Sequence, residues 1–212
     1  MKSIVLFGAG NVATHLFSAL SQAEGYEVIQ VYNHQKKSLE EFKDKVPVTT
    51  DFTEVFPADI YILALKDEAI PLLAEKILYR EAMILHTSGS TPLSILKHFS
   101  KKGILYPLQT FSKSKALDFK TVPLCIEAAN EQQLEEIKGL ARQLSEKVYE
   151  ISSEQRKALH LAAVFVSNFS NYMYSIGDEI CRENDLPFEI LHPLVLETAT
   201  KATNMAPKDA QT

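Results

Sequence analysis

The chain has 212 residues, 46% of them hydrophobic, which suffices for one large domain or a domain and a half around a buried core. Its net charge of −5, with no basic cluster beyond pairs such as Lys36-Lys37 and Lys101-Lys102, argues against nucleic acid as a partner. Two distant cysteines (Cys125 and Cys181) and scattered histidines suggest neither a disulfide framework nor a metal site, and no apolar run approaches the roughly 18 residues of a membrane span.

The first element is an apolar strand, Ser3 to Phe7, ending in Gly8-Ala9-Gly10 and followed at helical spacing by Val12, Leu16, Phe17 and Leu20. This is the strand, tight turn and helix start of a dinucleotide-binding βαβ unit. Gly8 allows the turn, Gly10 lets the backbone approach a pyrophosphate, and Ala13 lets helix and strand pack closely. Gly8, Ala9, Gly10, Asn11 and Val12 are thus candidate cofactor contacts, with phosphate charge resting on the free N–H groups of the new helix. A glycine turn at the extreme N-terminus occupies the place of a signal peptide's apolar region, so a cytoplasmic protein is expected.

The second strand, Glu27 to Tyr32, gives way to Asn33-His34-Gln35-Lys36-Lys37-Ser38. An NAD site places an acid here to accept from the ribose 2′-hydroxyl. None is present, and Asn33, His34, Gln35 and Lys37 suit a 2′-phosphate, so the expected cofactor is NADP. The lysines would equally solvate the next helix. The missing acid also weakens a methyltransferase reading. A short helix is predicted over Ser38 to Lys45 and a brief strand over Val46 to Thr49. The run Asp59 to Leu65 reads as a strand buried on both faces, followed by a helix from Ala69 to Leu78. Ala82 to His86 is the next strand, ending in Thr87-Ser88-Gly89-Ser90-Thr91-Pro92. Strand ends in such sheets line the ligand crevice, which makes Leu65, Lys66, Thr87 and Ser88 further candidates. The second turn also reads as helix capping, with Thr91 at the N-cap and Pro92 at the first helical position.

Ile104 to Phe111 is extended, and Pro107 argues against a regular central strand. Val122 to Ile126 is a strand, Glu131 to Leu144 a helix, and Lys147 to Ile151 closes the sheet. Strands alternating with helices predict a Rossmann-type, doubly wound, mostly parallel α/β domain over residues 1–151. The capping-box pattern Ser152-Ser153-Glu154-Gln155 then opens a long helix to about Asn184, with Pro187 starting another. Residues 152–212 form the predicted helical domain. Its apolar flank (Leu161, Phe165, Phe169, Tyr172 and Ile176) predicts a homodimer through residues 153–203. At 100° per residue, His160, Ser167 and Asn171 fall on one polar, uncharged stripe with Asn168 to its side. Such a stripe serves either as a solvated or helix-packing face, or as a wall of the cofactor crevice. In the second case His160 exchanges a proton with the substrate while Ser167 and Asn168 orient it.

These pieces resemble the Rossmann-like proteins with a C-terminal helical domain of unknown function, loosely described as NADP oxidoreductases. More distantly the chain is similar to pyrroline-5-carboxylate reductases and β-hydroxyacid dehydrogenases, with their 6-phosphogluconate dehydrogenase-like C-terminal domain. The carrying residues are Gly8 to Ala13, His86-Thr87-Ser88-Gly89, Tyr106-Pro107-Leu108-Gln109-Thr110-Phe111, and His160 to Phe169. The resemblance implies a nicotinamide cofactor and a helical domain that completes the site. It supplies no substrate. It also implies further helix after Ala210-Gln211-Thr212, so that the chain stops inside its second domain. A lysine does part of the work on this helix in the dehydrogenases, and no lysine here matches it. The pair Tyr32 and Lys36 has the short-chain dehydrogenase spacing but stands at the adenosine end. The favoured reading is hydride transfer between NADP(H) and a small carbonyl or imine; the alternative is a non-catalytic NADP-binding sensor or interaction module.

Overall fold

The computed structural model describes residues 1–210; the chain end at Gln211-Thr212, where the expected truncation falls, lies outside the described residues. The chain divides into two compact units, Met1–Leu161 and a second that begins at Ala162. In the first, β1 (Lys2–Phe7) pairs with β2 (Tyr26–Tyr32) on one side and β4 (Ile60–Leu63) on the other. β3 (Val48–Thr49) lies beyond β2. Beyond β4 follow β5 (Met83–His86), β6 (Lys101–Pro107), β7 (Leu124–Ala128) and β8 (Val148–Glu150). All neighbours are parallel except β6 and β7. The order β3-β2-β1-β4-β5-β6 is that of a dinucleotide-binding sheet, with its switch point between β1 and β4.

Alternation along β1 explains the unbroken apolar run. Ile4 and Leu6 face a layer holding Leu16 and Leu20 of α1 (Asn11–Leu20) and Ile137 of α4 (Glu131–Leu144). Val5 and Phe7 face the other layer, with Ile70 and Ala74 of α3 (Ala69–Lys76). A strand covered on both faces has no polar positions to spare.

Local readings fail where chain direction is set by tertiary contacts. The helix predicted over Ser38 to Lys45 is instead α2 (Lys36–Leu39) followed by turns. Pro107 does not exclude β6 from the sheet interior, because it ends the strand. Leu108 N–H donates to Pro123 O, so alternation turns the Pro107 nitrogen to the β5 side, where β5 has already stopped opposite Ile104. Thr91-Pro92 does not cap an α-helix. A single 3₁₀ stretch, Leu93–Leu96, follows, with Pro92 just outside it. Ser88 shapes the turn itself, its hydroxyl accepting from the N–H groups of Ser90 and Thr91, while Leu93 N–H donates to Ser153 Oγ.

The capping box does form: Ser152 N–H donates to Gln155 Oε1 (2.8 Å), and Gln155 N–H to Ser152 Oγ (3.2 Å). It opens α5 (Ser153–Ala163). In the second unit a π-helical turn, Val164–Phe169, precedes α6 (Ser170–Glu183), and Phe188–Leu191 leads into α7 (His192–Asn204). The π turn closes i→i+5, so a uniform 100° step does not describe where Ser167 and Asn168 stand. Among the described residues no helix is long and apolar enough to cross a membrane, and no group of three or more acidic, histidine or cysteine side chains could hold a metal.

The last common row of the sheet runs Phe7–Leu63–His86–Ile104–Glu127 across five strands. Arg156, wholly buried, lies against this row. Its Nη1 pairs with the Glu127 carboxylate, and its Nη2 donates to Thr91 O (2.6 Å) and Ser153 Oγ (3.3 Å). His86 is equally buried and accepts at Nδ1 from Ser88 N–H (3.2 Å). Burial, with the Arg156 charge adding to it, pushes the His86 imidazole down to about 4 from 6.5. An unfolded chain takes up this proton near pH 6.5, and the folded chain only near pH 4. Stability is therefore full above about pH 6.5 and falls as pH drops toward 4, by up to about 3 kcal/mol. Urea midpoints between pH 7.5 and about 4 should reveal this slope. His86→Asn, which keeps an acceptor for Ser88 N–H, should lose the part due to the imidazole.

Candidate active site

Gly8 turns the chain out of β1 with φ +114°, in the left-handed region. A Cβ there would stand 2.1 Å from Ala64 O, so the turn rests directly on the end of β4. Gly8 N–H donates to Tyr32 O (2.8 Å), drawing in the end of β2 as well. Gly10 is the residue before α1. No side chain caps that helix, and a Cβ on Gly10 would meet nothing within 4 Å. The N–H groups of Asn11, Val12 and Ala13 open the helix with no partner inside it. An uncapped helix start with clear space before it fits the pyrophosphate of a dinucleotide.

A strap from the loop after β6 crosses this turn. Asn11 Nδ2 donates to Phe111 O (2.9 Å), and His15 Nε2 lies 2.9 Å from Ser112 O. Lys113 Nζ donates to Ala9 O (2.9 Å) and to Glu41 Oε2 (2.8 Å). Burial works against the Glu41 carboxylate, but Lys113 and the Thr14 hydroxyl outweigh it and hold its pKa below the ordinary value. Lys113 is the cation standing at the glycine turn, and sequence reasoning passed over it. The only trace is two lysines in Ser112-Lys113-Ser114-Lys115, just past the Tyr106–Phe111 motif.

At the end of β2, Asn33 is buried and its Nδ2 donates to Gln35 O (3.2 Å), shaping the turn into α2. His34, Gln35, Lys36 and Lys37 are exposed. Asp51 lies near enough to Tyr32 to add to the effect of burial on that hydroxyl's raised pKa. Its own carboxylate is taken up by the N–H and hydroxyl of Thr53. Leu65 is half-buried beside Gly8, and Lys66 is exposed. Thr87 and Ser88 are buried, and their hydroxyls are spent on Leu63 O (3.4 Å) and on Thr91 Oγ1 (2.9 Å) with its loop.

Further along the same rim stands His160, half-buried, on α5. It lies one helical turn after Arg156 and so on the same face. Its Nδ1 is 3.0 Å from the Tyr106 hydroxyl, with the two rings edge to face at 6.0 Å. Tyr106 is buried near the end of β6, and burial pushes its hydroxyl up to about 12. The partner that the sequence left unnamed for His160 is thus a phenol from the Tyr106–Phe111 motif. Ser167 and Asn168 lie in the second unit, half-buried and exposed respectively.

Comparison with known proteins bears on the family and the fold of the chain. Residues 3–88 match the family model for NADP oxidoreductase, coenzyme F420-dependent, and residues 122–212 match a domain of unknown function, DUF2520. No curated protein matches. Among solved structures, BF3122 from Bacteroides fragilis, named provisionally as an NADP oxidoreductase, is 43% identical. The match covers 100% of this chain and 84% of that one, with TM-score 0.90. Protein TM1727 from Thermotoga maritima is 24% identical over 99% of this chain and 82% of its own, TM-score 0.78. Plasmodium falciparum pyrroline carboxylate reductase, solved with NADP bound, is 13% identical over 99% and 80%, TM-score 0.68. The chain belongs to the family of Rossmann-type NADP oxidoreductases that carry the DUF2520 helical domain.

Proposed function

We propose that the protein is an NADP-dependent oxidoreductase that reduces a small carbonyl or imine, with His160 as proton donor. The observation that carries this reading is the placement of His160 and the glycine turn along one rim, where β1, β4, β5 and β6 end. Gly8, Ala9, Gly10, Asn11 and Val12 would hold the pyrophosphate, and Asn33, His34, Gln35 and Lys37 the 2′-phosphate. Leu65, Lys66, Thr87 and Ser88 would line the approach to the nicotinamide. NADPH, when bound, supplies a hydride. The chain's part is to hold the carbonyl or imine and to deliver a proton to its oxygen or nitrogen as charge develops there. His160 stands at that rim with a ring nitrogen that can carry the proton to be delivered.

Oxidation of NADPH against a panel of keto acids, aldehydes and cyclic imines tests the reading. On a substrate so found, His160→Ala should lower turnover about 10²- to 10⁴-fold and leave NADPH affinity nearly unchanged. Wild-type turnover in that variant would remove His160 from the chemistry. Tight NADPH binding without turnover on any member would favour the sensor instead.

Self-association through residues 153–203 is the second part of the proposal, with a second copy of this chain as the partner. Among the described residues from Ala162 onward, Cys181 alone is buried, while Phe165, Phe169, Met173, Ile180, Leu194 and Leu196 are exposed. A unit of this size with so little core needs a covering surface. Phe165 and Phe169, stacked at 4.7 Å, present an aromatic pair that a two-fold axis would bring against its own copy. Light scattering at tens of micromolar should give the mass of a dimer, and Phe165→Glu should reduce it to a monomer. A monomer for the unaltered chain would contradict the proposal.

A further inference from the structure

We infer that Tyr106 is a positioning residue: its hydroxyl donates to Nδ1 of His160 and so holds the imidazole in the tautomer that carries its proton on Nε2. Three observations support this. The first is a hydrogen-bond inventory. Among the described residues the Tyr106 hydroxyl has one partner, His160 Nδ1 at 3.0 Å. Were the imidazole to donate from Nδ1, the phenolic hydrogen would have no acceptor among the described residues. With the phenol donating, both groups are satisfied and Nε2 is left with the hydrogen.

The second observation is the floor of the pair. A Cβ on Gly89 would lie 2.6 Å from His160 Nδ1 and 2.7 Å from Tyr106 Cζ, so both rings rest on the backbone of the turn after β5. A hydrogen is all that this approach tolerates. Gly89 is therefore not merely a link in a hydroxyl-rich turn; it sets the height at which the two rings meet. The third is the anchor behind them. Arg156, tied to Glu127 and Thr91 O, fixes α5 one turn before His160, and Leu159 packs with Ile104, Tyr106 and Cys125. With the phenol's pKa pushed up to about 12, it stays protonated wherever an imidazole titrates and remains able to donate.

The consequence rests on the proposed function: a donor must present its proton outward, and a ring bonded through Nδ1 to Tyr106 has only Nε2 to offer. The tautomer itself does not depend on any activity. It can be read from ¹⁵N shifts of the histidine-labelled full chain at about pH 8.5, where an ordinary imidazole is neutral. The His160 signals are assigned by their loss in His160→Gln. The wild type should show one Nε2-protonated form with an acceptor-type Nδ1. Tyr106→Phe should relax it toward the mixture of tautomers of a free imidazole, and Gly89→Ala should do the same by separating the rings. An Nδ1-protonated His160 in the wild type would overturn the inference. So would a Tyr106→Phe spectrum unchanged from wild type. If Tyr106→Phe fails to fold, the wild-type spectrum still decides. Given a substrate, Tyr106→Phe should lower kcat about 10- to 100-fold with KM and NADPH affinity little changed. Turnover by a protein whose His160 is Nδ1-protonated refutes this inference alone. An Nε2-protonated His160 in a protein that turns nothing over refutes the proposed function alone.

Discussion

The buried pairing of Arg156 with Glu127 is the constraint on which the candidate site depends. A guanidinium with almost no exposed surface costs several kcal/mol to desolvate, and its attraction to one carboxylate offsets this only with further hydrogen bonds. Those come from Thr91 O and Ser153 Oγ, and Ser153 Oγ in turn donates to Glu127 and accepts from Leu93 N–H. Three segments far apart in sequence are thereby closed on one another: the turn after β5, the C-terminal half of β7 and the first turn of α5. Loss of either charged partner would leave the other buried alone, at about 3–5 kcal/mol. His160 follows one helical turn later, so this network carries it to the Tyr106 hydroxyl and the Gly89 backbone on which its ring rests.

The glycine turn obeys a different kind of constraint. At Gly8 the limit is steric, since the backbone needs a positive φ and the carbonyl of Ala64 leaves no room for a side chain. At Gly10 nothing among the described residues crowds the missing Cβ, so packing places no demand on glycine there. The demand that remains is access to the helix N–H groups. Asn11, His15 and Lys113 hold the strap against the same turn, with the Lys113 ammonium shared between Ala9 O and the Glu41 carboxylate.

Much of the frame was legible in sequence because it follows from local rules. The glycine turn, the doubly buried strands, the limits of α4 and the capping box from Ser152 to Gln155 are each stated by a few adjacent residues. The site was legible only in part. His160 could be singled out, but Tyr106 was hidden behind Pro107, which reads as a strand breaker until the early end of β5 is known. Arg156 passes for a solvated residue in a charged helix start, because nothing nearby in sequence announces Glu127. Thr91-Pro92 spells a helix cap, yet the turn is committed to holding Arg156 through Thr91 O, and the first N–H of the stretch that follows goes to Ser153 Oγ. The π turn at Val164–Phe169 has no periodic signature, and it displaces the simple helical wheel that would have grouped Ser167 with His160.

A dinucleotide with a 2′-phosphate is proposed to rest on the turn before α1 and against the end of β2, where the run from Asn33 to Ser38 carries no acid. Calorimetric titration of the unaltered chain with NADPH and with NADH, with Gly10→Val as control, tests it most directly. NADPH should bind at least about tenfold more tightly than NADH, roughly 1.4 kcal/mol, and the folded Gly10→Val chain should bind neither. Equal affinities for the two cofactors, or undiminished binding in Gly10→Val, would rule out that placement of the cofactor.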